Sequence, residues 1–363
     1  MTIAHGGNVY EVASRLGCSP DDLLDYSASI NPLGPPAGLM EELARYFHRV
    51  QHYPDIVNRA LKDDLARLHG VSPTQVVVGN GSTELIYWLP KALGIEDAVI
   101  ALPTFGEYGK AFEIQGVRLH KLMTSRENDF QPEVRELDAL CEKVSPQAVL
   151  LTHPGSPSGT LLSPAVREWI VRKSREKGFY GIIDEVFVDF CEEDSFKEFL
   201  ETSPRLVLIR SMTKFYGVPG LRLGYLLTSR EIADAADRLI PPWSVNTLAQ
   251  IGGSYCLRQE DYRERTLSAA KTERETLAKR LGSLEGCRVY PGAANYLLVE
   301  LADWLPTAGA LRDHILAVEK ILIRDCSSFE GVGDRHVRIA VRLPEQNRRL
   351  FEGIAGWVRA HSR

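Results

Sequence analysis

The chain has 363 residues, 44% hydrophobic and 25% charged, the proportions of an ordinary globular protein, and at roughly 150 residues per domain its length predicts about two domains. Its 43 basic and 48 acidic side chains give a formal net charge of -5. That balance argues against a dedicated nucleic-acid binder with a basic stripe, yet leaves room for a small anionic ligand held by a few local cations.

The opening MTIAHGGNVYEVASRLG lacks a basic stretch followed by an apolar one, so no signal peptide is expected. No apolar run approaches the roughly 18 residues of a membrane helix. The six cysteines show no CxxC spacing and no disulfide framework, so the expected location is the cytoplasm. Residues 1–45, rich in Pro and Gly around Asn31-Pro32-Leu33-Gly34-Pro35-Pro36, fit neither helix nor strand patterns. They are expected to form an arm that packs on a small domain or on a partner subunit.

From about residue 75, short apolar runs at 75–78, 98–102, 148–151, 180–183, 206–209 and 223–227 alternate with helical patterns at 85–93, 134–143 and 164–177. That alternation predicts an α/β fold with a mostly parallel, buried sheet flanked by helices, assigned here to a large domain over 46–245. Beyond it, a charged amphipathic helix over 259–284 leads to strands near 288–290, 296–301, 321–323 and 337–341, and to a helix over 345–360. This mixture predicts a smaller α+β domain over 246–363.

Chemistry concentrates at the strand ends. Ser211-Met212-Thr213-Lys214-Phe215-Tyr216-Gly217 follows a buried run, with Arg222 eight residues after the lysine. Alone, such a lysine is ordinarily a solvated loop residue; in this setting it suits a Schiff base with an aldehyde cofactor. Ser211 and Arg222 would then hold an anionic group. Thirty residues upstream, Asp184 ends the run Gly181-Ile182-Ile183. A buried carboxylate there is costly unless it meets a cation, and a protonated pyridine nitrogen would supply one. Gly79-Asn80-Gly81-Ser82-Thr83-Glu84 joins a strand to a helix, where small residues and the helix N-terminus favour a phosphate, although it matches neither a Walker loop nor G-x-G-x-x-G.

In this order, these segments resemble the fold-type I pyridoxal-phosphate enzymes of the class I/II aminotransferase branch, over essentially the whole chain. Within that branch the sequence resembles histidinol-phosphate aminotransferases and, more closely, the threonine-phosphate decarboxylases of cobalamin synthesis. The nearer likeness rests on His5-Gly6-Gly7-Asn8, Asp25-Tyr26-Ser27-Ala28-Ser29-Ile30-Asn31-Pro32, Asp184-Glu185-Val186-Phe187, Pro242-Trp243-Ser244-Val245-Asn246 and Ile321-Leu322-Ile323-Arg324. The resemblance implies a homodimeric lyase that uses pyridoxal 5'-phosphate to decarboxylate L-threonine O-3-phosphate, with histidinol-phosphate transamination as the alternative. It implies Lys214 as the Schiff-base lysine, Asp184 as the pyridinium partner and Tyr108 as the aromatic stacked on the ring. Gly81, Ser82, Thr83, Ser211 and Arg222 match the phosphate cup, and Tyr53 a tyrosine reaching the neighbouring subunit's cofactor. Arg338 matches the arginine that grips the substrate carboxylate; Arg324 and His5, with Arg342 and Asn31, are the expected contacts to the rest of the substrate.

Two departures stand out. Where the family usually carries Asn-Pro-Thr-Gly, this chain has Ser156-Pro157-Ser158-Gly159, and Phe187 stands where aminotransferases place a tyrosine. Both are positions that donate to the cofactor's ring oxygen. The nine histidines show no paired ligand spacing, so no metal site is expected. His48, His69, His120, His153 and His314 read as surface or helix-end residues, Trp88 and Trp357 as core, and the stretch 262–279 as a solvated helix face.

Overall fold

The computed structural model of the chain describes residues 6–176 and 178–362. In chain order its strands are β1 (Leu24–Asp25), β2 (Val76–Asn80), β3 (Asp97–Leu102), β4 (Arg118–Met123), β5 (Ala148–Thr152), β6 (Tyr180–Asp184), β7 (Leu206–Ser211), β8 (Leu223–Thr228), β9 (Cys287–Val289), β10 (Tyr296–Leu301), β11 (Ile321–Leu322), β12 (Arg324–Asp325) and β13 (His336–Ala340). Seven of them form one sheet in the order β2-β8-β7-β6-β5-β3-β4. Strand β8 runs antiparallel to both neighbours, and the remaining pairs are parallel.

The unbroken apolar runs exist because helices cover both faces of this sheet. Val149, Leu151 and Ile183 enter one core, whereas their neighbours Leu150 and Ile182 enter the other, the two-residue alternation of a pleated strand. Strands β7 and β8 are buried along their whole length. The strand that the pattern did not predict, β4, lies at the sheet edge. Arg118, His120 and Lys121 tolerate that edge, so no apolar run marked it.

After residue 246, the helices Thr247–Leu257 and Glu260–Gly282 lead to an antiparallel sheet, β12-β13-β10-β9, with the helices Ala308–Glu319 and Pro344–His361 packed on it. Trp357 is buried in this core, whereas Trp88 is only partly buried. The N-terminal segment is tied to the same unit. Strand β1 pairs in parallel with β11, and Tyr26 is fully buried among Leu297, Ile323 and Leu350.

A buried ion-pair network lies behind the sheet's functional edge. Glu185 follows Asp184, Arg210 precedes Ser211, and both side chains are fully buried on the opposite face. Arg210 Nε meets Glu185 Oε2 at 2.8 Å, while its Nη1 reaches Glu192 at 2.7 Å and its Nη2 donates to Ser195 Oγ at 2.7 Å. The ends of β6 and β7 are thereby cross-linked one residue behind two site residues. Arg263, on the helix expected to show a solvated face, turns inward to Asp189 and Glu192.

Of the histidines expected at the surface or at helix ends, His69 does end a helix, Arg59–His69, but is buried there, and His153 is buried just after β5. His69 packs against Tyr225, its Nε2 2.8 Å from the phenol oxygen, and burial lowers its pKa to about 4. His153 accepts the Leu162 N–H at Nδ1, and burial, reinforced by Arg167, lowers its pKa to about 3. Their isolated positions in the sequence carried no sign of this, because burial is set by tertiary packing, as by Tyr225 against His69.

Candidate active site

The C-terminal ends of β6 and β7 and the loop after β2 surround a cavity of about 150 Å³, lined among others by Gly81, Ser82, Thr83, Phe105, Ser156, Asp184, Phe187, Ser211, Lys214, Arg222 and Arg338. Parallel strands all present their C-terminal ends on one side, so their terminal side chains converge there.

Lys214 lies in the single helical turn Met212–Phe215, whose N-terminus is capped by Ser211 Oγ accepting the Thr213 N–H at 3.3 Å. Burial, then the charges of Arg338 and Arg222, lower its amine pKa from 10.5 to about 8. The neutral form that a nucleophilic amine requires is therefore far more accessible near neutral pH than in a solvated lysine. Asp184 stands at the end of β6, where its Oδ1 accepts the Val186 N–H at 3.0 Å. Burial raises its pKa to about 6, opposed by that N–H and by the Tyr108 hydroxyl.

At the other side of the cavity, Gly81 has φ 79°, and a Cβ there would come within 2.6 Å of Arg222 Nη2. Only glycine lets the guanidinium lie so close to this loop. Gly224 on β8 has the same role against Ser82, whose backbone nitrogen would lie 2.2 Å from an added Cβ. The helix Ser82–Ala92 starts here, so its first N–H groups, the Ser82, Thr83 and Ser211 hydroxyls and Arg222 form an anion-binding end.

Arg338, on β13, donates from Nη1 to Ser156 Oγ and from Nη2 to the Ser27 carbonyl, each at 3.3 Å. Its guanidinium lies 5.1 Å from the Tyr296 ring centre, and its Nε has no partner among the described residues. Ser156 thus serves the arginine. Phe187 packs edge-on against Tyr296, ring centres 4.9 Å apart, while the Tyr296 hydroxyl donates to the Gly155 carbonyl at 2.6 Å.

The other expected residues lie elsewhere. Tyr108 is fully buried and does not line the cavity; of the two aromatics in its segment, Phe105 does, and the two rings meet edge to face at 6.2 Å. Phe105 lies in the loop directly after β3, whereas Tyr108 enters the helix Glu107–Ile114 and turns inward. The signal for Phe105 was its place just beyond a buried strand, after Pro103-Thr104.

Asn31 is not turned toward the cavity. Its Nδ2 lies 2.7–2.9 Å from the Phe215 carbonyl, the Tyr262 hydroxyl and Thr266 Oγ1, and its N–H donates to the Lys214 carbonyl at 2.9 Å. It clamps the N-terminal segment onto the lysine's turn. Arg342 donates to the Asp25 carbonyl and to Gln346 Oε1, beside Tyr26, which ties that segment to the second unit. Arg324 is buried, donates to Ser328 Oγ at 2.7 Å and lines a neighbouring cavity of about 190 Å³ that shares the Phe105 wall. Tyr53 is 79% exposed and stacks on Trp243 at 4.6 Å, away from the cavity of its own chain. His5 lies outside the described residues. Among the described residues no three His, Cys, Asp or Glu side chains gather as a metal site.

Comparison with known proteins bears on this arrangement. Residues 21–354 match the family model for aminotransferase class I and II. The chain is 35% identical over 360 residues to the threonine-phosphate decarboxylase of Salmonella typhimurium, an alignment covering 97% of this chain and 95% of that one. It is 28% identical over 352 residues to the histidinol-phosphate aminotransferase of Methanococcus aeolicus, covering 96% and 93%. The crystal structure of the histidinol-phosphate aminotransferase from Clostridium acetobutylicum is similar at a TM-score of 0.86 and 28% identity, covering 93% of this chain and 100% of that one.

Proposed function

The chain belongs to the class I and II aminotransferases, and from that premise we propose that it is a pyridoxal-phosphate lyase that decarboxylates L-threonine O-3-phosphate. The products are (R)-1-aminopropan-2-yl phosphate and carbon dioxide. The observation that carries the reading is the meeting of Lys214, Asp184 and Arg338 around one cavity that has an anion-binding end. The extent of likeness to the Salmonella decarboxylase supports the choice of substrate.

The donors fit pyridoxal 5'-phosphate. Gly81, Ser82, Thr83, Ser211 and Arg222 would hold its phosphate, Asp184 its ring nitrogen, Phe105 its ring face, and Lys214 its aldehyde carbon. Bound there, the cofactor supplies an electron sink for a bond breaking at the substrate's Cα. The chain's own residues decide which bond that is. Arg338 takes the substrate carboxylate, and a salt bridge equally strong before and during reaction would not accelerate its loss. Its contribution is orientation: anchored by Ser156 and the Ser27 carbonyl, it fixes the direction of the Cα–carboxylate bond. That bond breaks with its electron pair left toward Cα, and the Lys214 ammonium then returns a proton to Cα. Arg324, beyond the shared Phe105 wall, is assigned with His5 to the substrate phosphate.

The chain works as a cytoplasmic homodimer in this reading. Tyr53, Phe47, Val50, Ile56 and Trp243 expose apolar surface next to a groove of about 650 Å³ lined by Tyr46, His52 and Tyr53. Tyr53 would reach the phosphate cup of the other copy.

The test is to mix cofactor-loaded protein with L-threonine O-3-phosphate and follow carbon dioxide together with amine product. Equal amounts of both, over many turnovers, are expected. No release, with conversion of histidinol phosphate and 2-oxoglutarate instead, would replace this reading by the aminotransferase one.

A further inference from the structure

The segment Pro242-Trp243-Ser244-Val245-Asn246 lies outside the cavity, yet two of its side chains are tied to residues beside the phosphate cup. Ser244 Oγ donates to Glu84 Oε2 at 3.0 Å, and the same oxygen accepts the Asn80 N–H at 2.7 Å, so Glu84 braces the loop that carries Gly81, Ser82 and Thr83. Asn246 Nδ2 donates to the carbonyl of Leu221, the neighbour of Arg222, at 3.3 Å. Just before these anchors the chain turns, closed by the Ser244 N–H on the Pro241 carbonyl at 3.3 Å. Pro242 suits the second position of such a turn. The third is Trp243, with φ 60°.

A turn with positive φ at its third residue ordinarily takes glycine or asparagine there. A bulky side chain in that conformation is strained, and residues held so gather where the strain serves a task. Trp243 is about half exposed, so packing in its own core does not account for it. What the indole meets is Tyr53, with ring centres 4.6 Å apart and planes 26° from parallel. The backbone after Tyr53 is fixed independently of that stack. Asp55 accepts the Val57 and Arg59 N–H groups on its carboxylate, and Gln250 Nε2 joins the Asp55 carbonyl to that of Val245, at 3.0 Å each. These contacts set where the exposed phenol starts and leave its direction to the stack on Trp243.

We propose that Trp243 is a positioning residue, whose strained turn holds the ring that aims Tyr53 away from its own cavity and toward the phosphate cup of a second copy. The inference rests on the homodimer reading above, which gives the Tyr53 hydroxyl that destination. In this arrangement the loop that holds a copy's own phosphate also braces, through Glu84 and Ser244, the tyrosine that the copy lends to its partner. The gain is entropic, because a phenol already stacked loses less freedom on reaching the phosphate than an unrestrained one.

The experiment is a double-mutant cycle on the full chain, with Tyr53→Phe, Trp243→Gly, both together, and Trp243→Phe. Glycine removes the ring and accepts the turn's positive φ without strain. Cofactor-free protein is titrated with pyridoxal 5'-phosphate, reading the cofactor's absorbance, while light scattering gives the mass of each protein at the concentrations used. Tyr53→Phe is expected to lower affinity about tenfold, the loss of one hydrogen bond to a charged group. Trp243→Gly, as a dimer, should lower it about two- to tenfold, the cost of ordering one side chain. It should add nothing in the Tyr53→Phe background, and Trp243→Phe, which keeps a stack, should restore most of the loss. Wild-type affinity in Trp243→Gly, or a loss that adds fully to that of Tyr53→Phe, would overturn the inference and leave the dimer reading standing. So would a loss that tracks dissociation to monomers, which makes the ring interface packing alone. Unchanged affinity in Tyr53→Phe would overturn the destination of Tyr53 and the inference together.

Discussion

Replacing Lys214 by methionine keeps an unbranched side chain of similar length and removes a charge from the cavity. Burial and the neighbouring Arg338 and Arg222 depress the amine's pKa from 10.5 to about 8. At about 1.4 kcal/mol per pH unit, that depression corresponds to about 3 kcal/mol of folding free energy lost while the folded protein must carry the charged amine. Lys214 keeps part of its surface open to the cavity, and solvent there screens the charge, so about 1–3 kcal/mol is the expected gain in Lys214→Met. The sign follows from proton uptake. Between pH 8 and 10.5 the unfolded chain holds a proton on this amine that the folded chain has released, so wild-type stability rises with pH relative to the variant. The advantage of Lys214→Met should therefore be complete below about pH 8 and gone above about 10.5. Urea denaturation of both proteins without cofactor, at pH 7 and pH 10.5, measures it, and the variant should have no turnover. A methionine variant no more stable than wild type at pH 7, or equally favoured at both pH values, would refute the electrostatic account.

Three further outcomes follow from the same geometry. Gly81→Ala places a Cβ 2.6 Å from Arg222 Nη2 at φ 79°; cofactor affinity by fluorescence titration should fall by about tenfold or more. Arg210→Met leaves the fully buried Glu185 without its cation and should destabilise by about 3–5 kcal/mol in urea, whereas a companion Glu185→Leu change should recover a large part of that loss. Burial holds His69 neutral down to about pH 4, so the unfolded chain takes up a proton below pH 6.5 that the folded one refuses, and stability falls as pH drops. In His69→Gln that fall should be shallower by about 1.4 kcal/mol per pH unit between pH 6 and 4.5, as read by denaturation at several pH values.

The predicted fold elements fared according to burial. Strands β2, β5, β6, β7 and β8 were legible because sheets covered on both faces leave unbroken apolar runs. Edge strand β4 was not, since its polar residues face solvent. The residues gathered at the cavity were legible where they sit at strand ends: Asp184 ends β6, Ser211 ends β7 with Lys214 in the next turn, and Gly81 follows β2. In those places the backbone ladder itself aims the side chain. Loops and helix first turns offer no such guide. Phe105 and Tyr108 are three residues apart, and only packing decided that one faces the cavity and the other lies behind it. Asn31 and Arg342 carry donors suited to a phosphorylated ligand, yet each spends them on the chain's own carbonyls and side chains.

The sequence by itself therefore determined an alternating α/β sheet and the lysine, aspartate and glycine-rich loop brought to one edge of it, because hydrophobic periodicity and strand direction are local properties. Only the tertiary structure decided that Ser156 supports Arg338, that the segment around Asn31 clamps the lysine's turn, and that Glu185 and Arg210 join β6 to β7. Those contacts pair residues separated by 25 to more than 180 positions, and a hydrogen bond or ion pair takes its partner by distance in space, which no local pattern encodes.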